Sequence, residues 1–200
     1  MPSTTKQRAL RLIGKMGLAR PRELEAEGIS RVQLARLVNE GLVVRQARGI
    51  YTVPSHAPTE AHSLAQVAKR VPNAVFCLFT ALRFHNLTTQ SAPEVWIALP
   101  EKARRPQLDY PRLRVARFSG PALTEGIEEH SAEGVDIRVY SAAKTVADCF
   151  KYRNKVGIDV AVEALRDFSR KHRGGANDLA RFARICRVSR VMQPYLDAIA

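Results

Sequence analysis

Glycine and proline punctuation near the start of the chain forbids any long helix there and dictates a compact, multi-turn fold. Gly17, Gly28, Gly41 and Gly49, with Pro21 between the first two, cut residues 1–55 into short segments. Ala9, Leu12, Ile13 and Met16 recur at helical spacing, with Lys6, Arg8, Arg11 and Lys15 on the opposite face. Gly17 ends that helix. Pro21 suits the first position of a second helix over 21–27, and Glu23 sits at the positive end of its dipole. Gly28 stops it. Ser30 is a good N-cap for a third helix over 31–40, which Gly41 closes. The β-rich runs 42–45 and 49–53 flank Gln46-Ala47-Arg48 and predict a hairpin. Three short helices and a two-stranded ribbon are the outline of a winged helix-turn-helix.

The remainder reads as a second domain. Pro54-Ser55-His56-Ala57-Pro58-Thr59 has the composition of a linker, so the expected domains are 1–55 and 60–200. Thr59 caps a helix over 60–70, and 79–84 is helical. Residues 94–99, 113–118 and 135–139 read as strands, with 74–77 between Pro72 and the next helix. Ser141 caps a helix over 142–152. Helices are expected over 157–171, where Val160, Ala161, Ala164, Leu165 and Phe168 share one face, and over 177–186 and 189–199. The fold class is therefore mixed α/β (α+β), with a larger C-terminal domain ending in helices. The longest apolar stretch, Ala74–Phe79, is far short of the roughly 20 residues that span a bilayer. The opening Met1–Lys6 leads into a charged segment without an apolar signal core, and three widely spaced cysteines in apolar surroundings read as buried thiols. The expected location is the cytoplasm, away from any membrane.

Charge narrows the partners. Lys plus Arg is 32 against 19 Asp plus Glu, a net +13 with a pI near 10.3. Such a field favours polyanions. Residues 1–56 hold 10 basic and 4 acidic side chains, about twice the net positive charge per residue of the rest. On the third helix, Val32, Leu34, Leu37 and Val38 are available for a core, leaving Arg31, Gln33, Arg36 and Asn39 outside. Arginine suits guanine, and glutamine or asparagine suits adenine. Ser30 adds a hydroxyl at a helix N-terminus, and Arg45 and Arg48 lie on or near the hairpin turn. The expected DNA-binding set is Ser30, Arg31, Gln33, Arg36, Arg45 and Arg48. A three-helix unit with a ribbon can also dock proteins.

Signals for catalysis are poor. Ser141-x-x-Lys144 has serine–lysine hydrolase spacing, but Ser141 is also where an N-cap belongs. No Gly-rich phosphate loop or protein-kinase signature set occurs, and the histidines do not pair at metal-ligand spacing. No catalytic residue, metal or cofactor is expected. Lys144, Asp148, Lys151 and Lys155 follow 3–4 spacing and stack charges along one helix face. That face is either an exposed ion pair or a surface for RNA, a nucleotide or a partner. Arg138, Tyr152 and Arg153 could complete a basic patch around it.

Two sets of residues resemble the AbiEi antitoxin family. Residues 18–53 do so through Arg22-Glu23-Leu24, Gly28-Ile29-Ser30-Arg31 and Arg48-Gly49-Ile50-Tyr51. The second, sharper set runs from Tyr140-Ser141-Ala142-Ala143-Lys144-Thr145 through Asp148 to Lys151-Tyr152-Arg153, then Gly157 and Glu163-Ala164-Leu165-Arg166. The resemblance implies an antitoxin of a bacterial abortive-infection operon. Its winged domain would bind inverted repeats of double-stranded operator DNA and repress its own operon, which associates it with the nucleoid. Its C-terminal domain would counteract a nucleotidyltransferase-like toxin without needing a stable complex, through Ser141, Lys144, Asp148, Lys151, Tyr152 and Arg153. Glu101–Pro111, a basic loop with prolines, is the stretch least typical of the family. The competing readings are a repressor with an effector-sensing C-terminal domain, an enzyme that modifies the toxin by phosphotransfer, and a plain RNA-binding protein.

Overall fold

The structure, a computed structural model, describes residues 5–55, 61–90 and 92–199. Most of the expected linker, with Thr59 and Glu60, lies outside the described residues. In order, the chain forms α1 (Thr5–Met16), α2 (Pro21–Ala26), α3 (Arg31–Asn39), β1 (Val44–Ala47), β2 (Ile50–Thr52), α4 (His62–Arg70), β3 (Val75–Phe76) and α5 (Leu78–Phe84). It continues with β4 (Val95–Pro100), β5 (Leu113–Phe118), α6 (Pro121–Thr124), β6 (Ile127–Ala132), β7 (Val135–Tyr140) and α7 (Ala142–Lys151). The tail is α8 (Arg153–Val156), α9 (Ile158–Lys171), α10 (Ala176–Ile185) and α11 (Ser189–Asp197). The class is mixed α/β.

Two compact units result: residues 1–72 with Ser131–Ile137, and residues 73–130 with 138–200. The first unit therefore takes in α4, beyond the expected boundary at 54–59. Lys69 on α4 gives one reason, because its Nζ donates to Glu23 Oε2 at 2.9 Å. Burial raises the Glu23 carboxyl's pKa, but the Lys69 ammonium and the Arg20 N–H outweigh it and hold the pKa below the ordinary value.

The first unit packs Ala9, Ile13, Leu24, Ile29, Leu34, Leu37 and Val43 into one core. Ser30 and Gln33 form a capping box: Gln33 N–H donates to Ser30 Oγ (3.2 Å), and Ser30 N–H to Gln33 Oε1 (2.8 Å). β1 and β2 pair antiparallel with a bulge between Arg45 and Ala47. Gly49, at φ 75°, supplies the left-handed residue of their turn. Tyr51 also bridges back to Ala19, which ties the hairpin to the residues before α2.

A five-stranded sheet, ordered β5-β4-β3-β7-β6, organises the second unit, save for Ser131–Ile137 at the β6–β7 turn, which count with the first. β4 and β5 pair parallel from Val95↔Leu113 to Pro100↔Phe118, whereas β3 runs antiparallel to β4 and parallel to β7. β6 is an edge strand absent from the sequence expectations. Glu128, Glu129 and His130 deny it a β-rich signature, and charge of this kind protects an edge from pairing with another chain. Glu133 and Gly134, at φ 52° and 72°, form the two-residue turn into β7.

α7 lies at the centre of the second unit, against α5, α9 and α10. Its residues 142–150 are all buried, charged ones included. That corrects the expected solvent-facing charge stripe: the C-terminal helices cover the face that the spacing alone assigns to water. Cys77, Cys149 and Cys186 are free thiols and buried, as expected.

Candidate functional site

In the first unit, α3 presents Arg31, Val32, Gln33, Ala35 and Arg36 outward while Leu34 and Leu37 face the core. Val32 is 79% exposed, contrary to its expected place in the core. The short helix fills its core with Leu34 and Leu37, and Val32 falls on the far side. Beside α3 lies a groove of about 660 Å³, where Arg20, Arg22, Arg31, Arg45, Arg48 and Arg70 converge from α2, α3, the hairpin and α4. Among the described residues, Arg22, Arg45, Arg48 and Arg70 have no hydrogen-bond or ion-pair partner for their side chains. Arg31 is held instead by Glu25, Nε to Oε1 at 2.8 Å. Arg36 reaches Glu40 at 3.0 Å, and Glu40 also binds Lys6 at 2.6 Å.

The groove brings together Arg31, Arg45 and Arg48 of the expected set. Gln33 and Arg36 line a smaller cleft between α1 and α3 instead, and Ser30 is occupied as a cap. Arg20, Arg22 and Arg70 were not anticipated. Arg22 stands in the Arg22-Glu23-Leu24 motif of the AbiEi resemblance, which assigned it no role of its own. Arg70 is brought in by the packing of α4, which local sequence does not encode.

The second expected site, around Ser141, Lys144 and Asp148, is interior. Lys144 Nζ donates to both Asp148 oxygens at 2.7 and 2.6 Å, and both side chains are 0% exposed. The ammonium lies 4.0 Å from the Tyr140 ring centroid and 4.9 Å from that of Phe118. Cys186 Sγ donates to Asp148 Oδ1 at 3.2 Å. Burial raises the Asp148 carboxyl's pKa against the opposing pull of Lys144. Burial, with the Asp148 charge, pushes the Cys186 thiol up to about 12, which keeps it a protonated donor. Ser141 Oγ caps α7 by accepting from Lys144 N–H at 3.3 Å. Lys144 is thus committed to Asp148 rather than poised as a base for Ser141. Tyr140 O–H donates to Leu123 O at 2.7 Å, and Tyr152 O–H donates to Arg117 O.

The expected face is therefore split. Lys144 and Asp148 hold the interior together, Lys151 is exposed, and Tyr152 and Arg153 are half-buried. Among the described residues no cluster of His, Cys, Asp and Glu could hold a metal ion, and no helix is long and apolar enough to cross a membrane.

Comparison with known families bears on part of the first unit. Residues 7–54 match the model of the transcriptional regulators described as AbiEi antitoxins. The N-terminal segment is thus similar to the AbiEi antitoxin regulators. The match takes in all of α1 but Thr5 and Lys6, together with α2, α3 and the hairpin. The family is one of antitoxins that regulate transcription in abortive-infection systems. No curated protein matches the chain. The Tyr140–Arg153 block lies outside the AbiEi match.

Proposed function

We propose that the first unit is a winged helix-turn-helix that binds inverted repeats in duplex DNA upstream of its own operon and represses it. The observation carrying this reading is the groove of arginines beside the exposed face of α3. In it, α3 supplies base-reading side chains and the hairpin supplies Arg45 and Arg48 as a wing for the adjacent backbone. One such helix per chain means that an inverted repeat engages two copies. The second unit, on this reading, counters a nucleotidyltransferase-like toxin. Within the Tyr140–Arg153 block, its accessible contacts are Lys151, Tyr152 and Arg153, while Ser141, Lys144 and Asp148 position the helix that carries them.

The deciding experiment compares binding of the full chain to its upstream DNA and to a scrambled duplex across a salt series. Preference for the upstream duplex at physiological salt supports an autoregulator. Equal and steeply salt-dependent binding to both leaves only the +13 charge as the source of affinity and overturns the reading. The wing makes its own prediction. Arg45→Ala with Arg48→Ala removes two phosphate contacts, so the slope of log K against log salt becomes shallower by about 2. An unchanged slope takes the hairpin off the DNA.

Val32 predicts a sequence preference. A 79% exposed valine in the first turn of a reading helix offers a methyl pair to the C5-methyl of thymine. Duplexes selected from a random pool by the native chain should therefore carry a thymine that duplexes selected by Val32→Ser lack. Replacing that thymine with deoxyuridine should weaken the native chain several-fold and leave Val32→Ser unaffected. Identical selected sequences for the two chains would remove Val32 from recognition.

A further inference from the structure

The loop between β4 and β5 carries a basic surface of the second unit that neither the family match nor the toxin reading uses. Residues 101–117 contain six basic side chains and two acidic ones, Glu101 and Asp109. Two of the arginines build the loop. Arg117 donates to Pro100 O at 2.8 Å and to Ala103 O at 2.7 Å, and Arg105 donates to Leu113 O at 2.9 Å. A third, Arg114, is paired with Glu94 at 3.2 Å and lies over the Trp96 ring. The remaining three, Lys102, Arg104 and Arg112, are exposed, and among the described residues their side chains have no partner. At the loop's far end Tyr110 is 67% exposed, although a tyrosine ring ordinarily buries its apolar faces.

The basic surface continues onto the end of α7. Tyr152 O–H binds the carbonyl of Arg117, Lys155 Nζ lies 5.5 Å from the Tyr152 ring centroid, and Lys151 Nζ lies 5.6 Å from that of Phe118. A chain of direct contacts thus runs from the pinned loop to two further lysines.

We propose that this surface binds single-stranded nucleic acid, with a base stacked on Tyr110 and phosphates on Lys102, Arg104 and Arg112. The chemistry favours a single strand over a duplex. Bases inside a duplex are already stacked and offer no face to an exposed ring, whereas a single strand offers bases and phosphates together. No helix or ribbon stands between Pro100 and Leu113 to enter a major groove. The loop is also anchored at both ends by arginine–carbonyl bonds, so it presents Tyr110 without first having to order.

The test is fluorescence anisotropy with labelled oligo(rU) and oligo(dT) of about 15 nucleotides, a length suited to sites of this kind. The full chain carries Arg45→Ala and Arg48→Ala, so that the hairpin does not contribute. Tyr110→Ala should weaken binding of the single strands roughly ten-fold or more, and Tyr110→Phe should retain it. A blunt duplex of the same length should be indifferent to both. Lys102→Ala, Arg104→Ala and Arg112→Ala together should make the salt slope shallower by about 2. Binding of RNA alone would add a contact to the 2′-hydroxyl, and equal binding of both strands would mean that the sugar is not read. Unaltered binding by Tyr110→Ala, or a duplex bound as tightly as the single strands, would overturn the proposal. Because the hairpin is disabled throughout, failure of operator binding and failure of this surface are read separately.

Discussion

Lys144→Ala should destabilise the second unit by roughly 3–5 kcal/mol, the cost of leaving a buried charge without its partner. The geometry specifies why. Asp148 would keep only the Cys186 thiol as a donor, at 3.2 Å, having lost two ammonium bonds of 2.7 and 2.6 Å. Asp148→Ala should cost a similar amount, because the ammonium would then face only the rings of Tyr140 and Phe118. The double variant Lys144→Met with Asp148→Leu should recover most of the loss, because no charge remains to be desolvated. The chain's one tryptophan, Trp96, is buried in this unit, so the urea midpoint of its fluorescence reads the right transition. A loss below about 1 kcal/mol in Lys144→Ala would mean that water reaches the pair, as it does at exposed bridges. The cycle also bears on function. If the double variant is stable but no longer rescues cells from the toxin, the pair contributes more than support for α7.

Arg31→Ala should weaken binding to the upstream duplex by roughly 1–3 kcal/mol if its guanidinium makes a bidentate base contact, with little effect on a scrambled duplex. Arg31 is exposed and tethered to Glu25 at 2.8 Å, an exposed pair of the kind worth about 0–1 kcal/mol, so DNA can take the guanidinium at small cost. Glu25 has an effect of its own. It places a carboxylate beside the groove, where it repels any phosphate that arrives without a compensating contact. Glu25→Gln should therefore tighten the scrambled duplex more than the upstream one and lower the ratio between them. Equal losses on both duplexes in Arg31→Ala would assign this arginine to the backbone instead of to a base.

Local signals in this chain were legible where the elements stand alone. The Ser30 cap, the Gly41 stop and the hairpin around Gly49 all come from residues within one turn of each other. The alternating run Val-Asp-Ile-Arg-Val, expected as a strand over 135–139, forms β7 at Val135–Tyr140. Long-range packing was not legible. The 3–4 spacing of Lys144, Asp148 and Lys151 reads as a wet face because an isolated helix would wet it. α9 and α10 make it a core, and they come from later in the chain. Val32 fails in the other direction, as an apolar residue at an apparent core position that the short helix does not need. The arginine groove was half visible, because Arg31, Arg45 and Arg48 lie in suggestive local settings whereas Arg70 depends on the docking of α4.

The three buried cysteines bear on how this chain is observed. All belong to the second unit, and burial raises the pKa of each thiol. A thiol that is both covered and protonated reacts slowly with alkylating reagents until the structure around it opens. Cys149 lies within α7 and Cys186 bonds to Asp148, so the thiols flank the ion pair itself. Alkylation of the native chain is therefore a clock for the opening of its C-terminal half. It runs without any added label, and the segment that matches the AbiEi regulators, which has no cysteine, stays silent throughout.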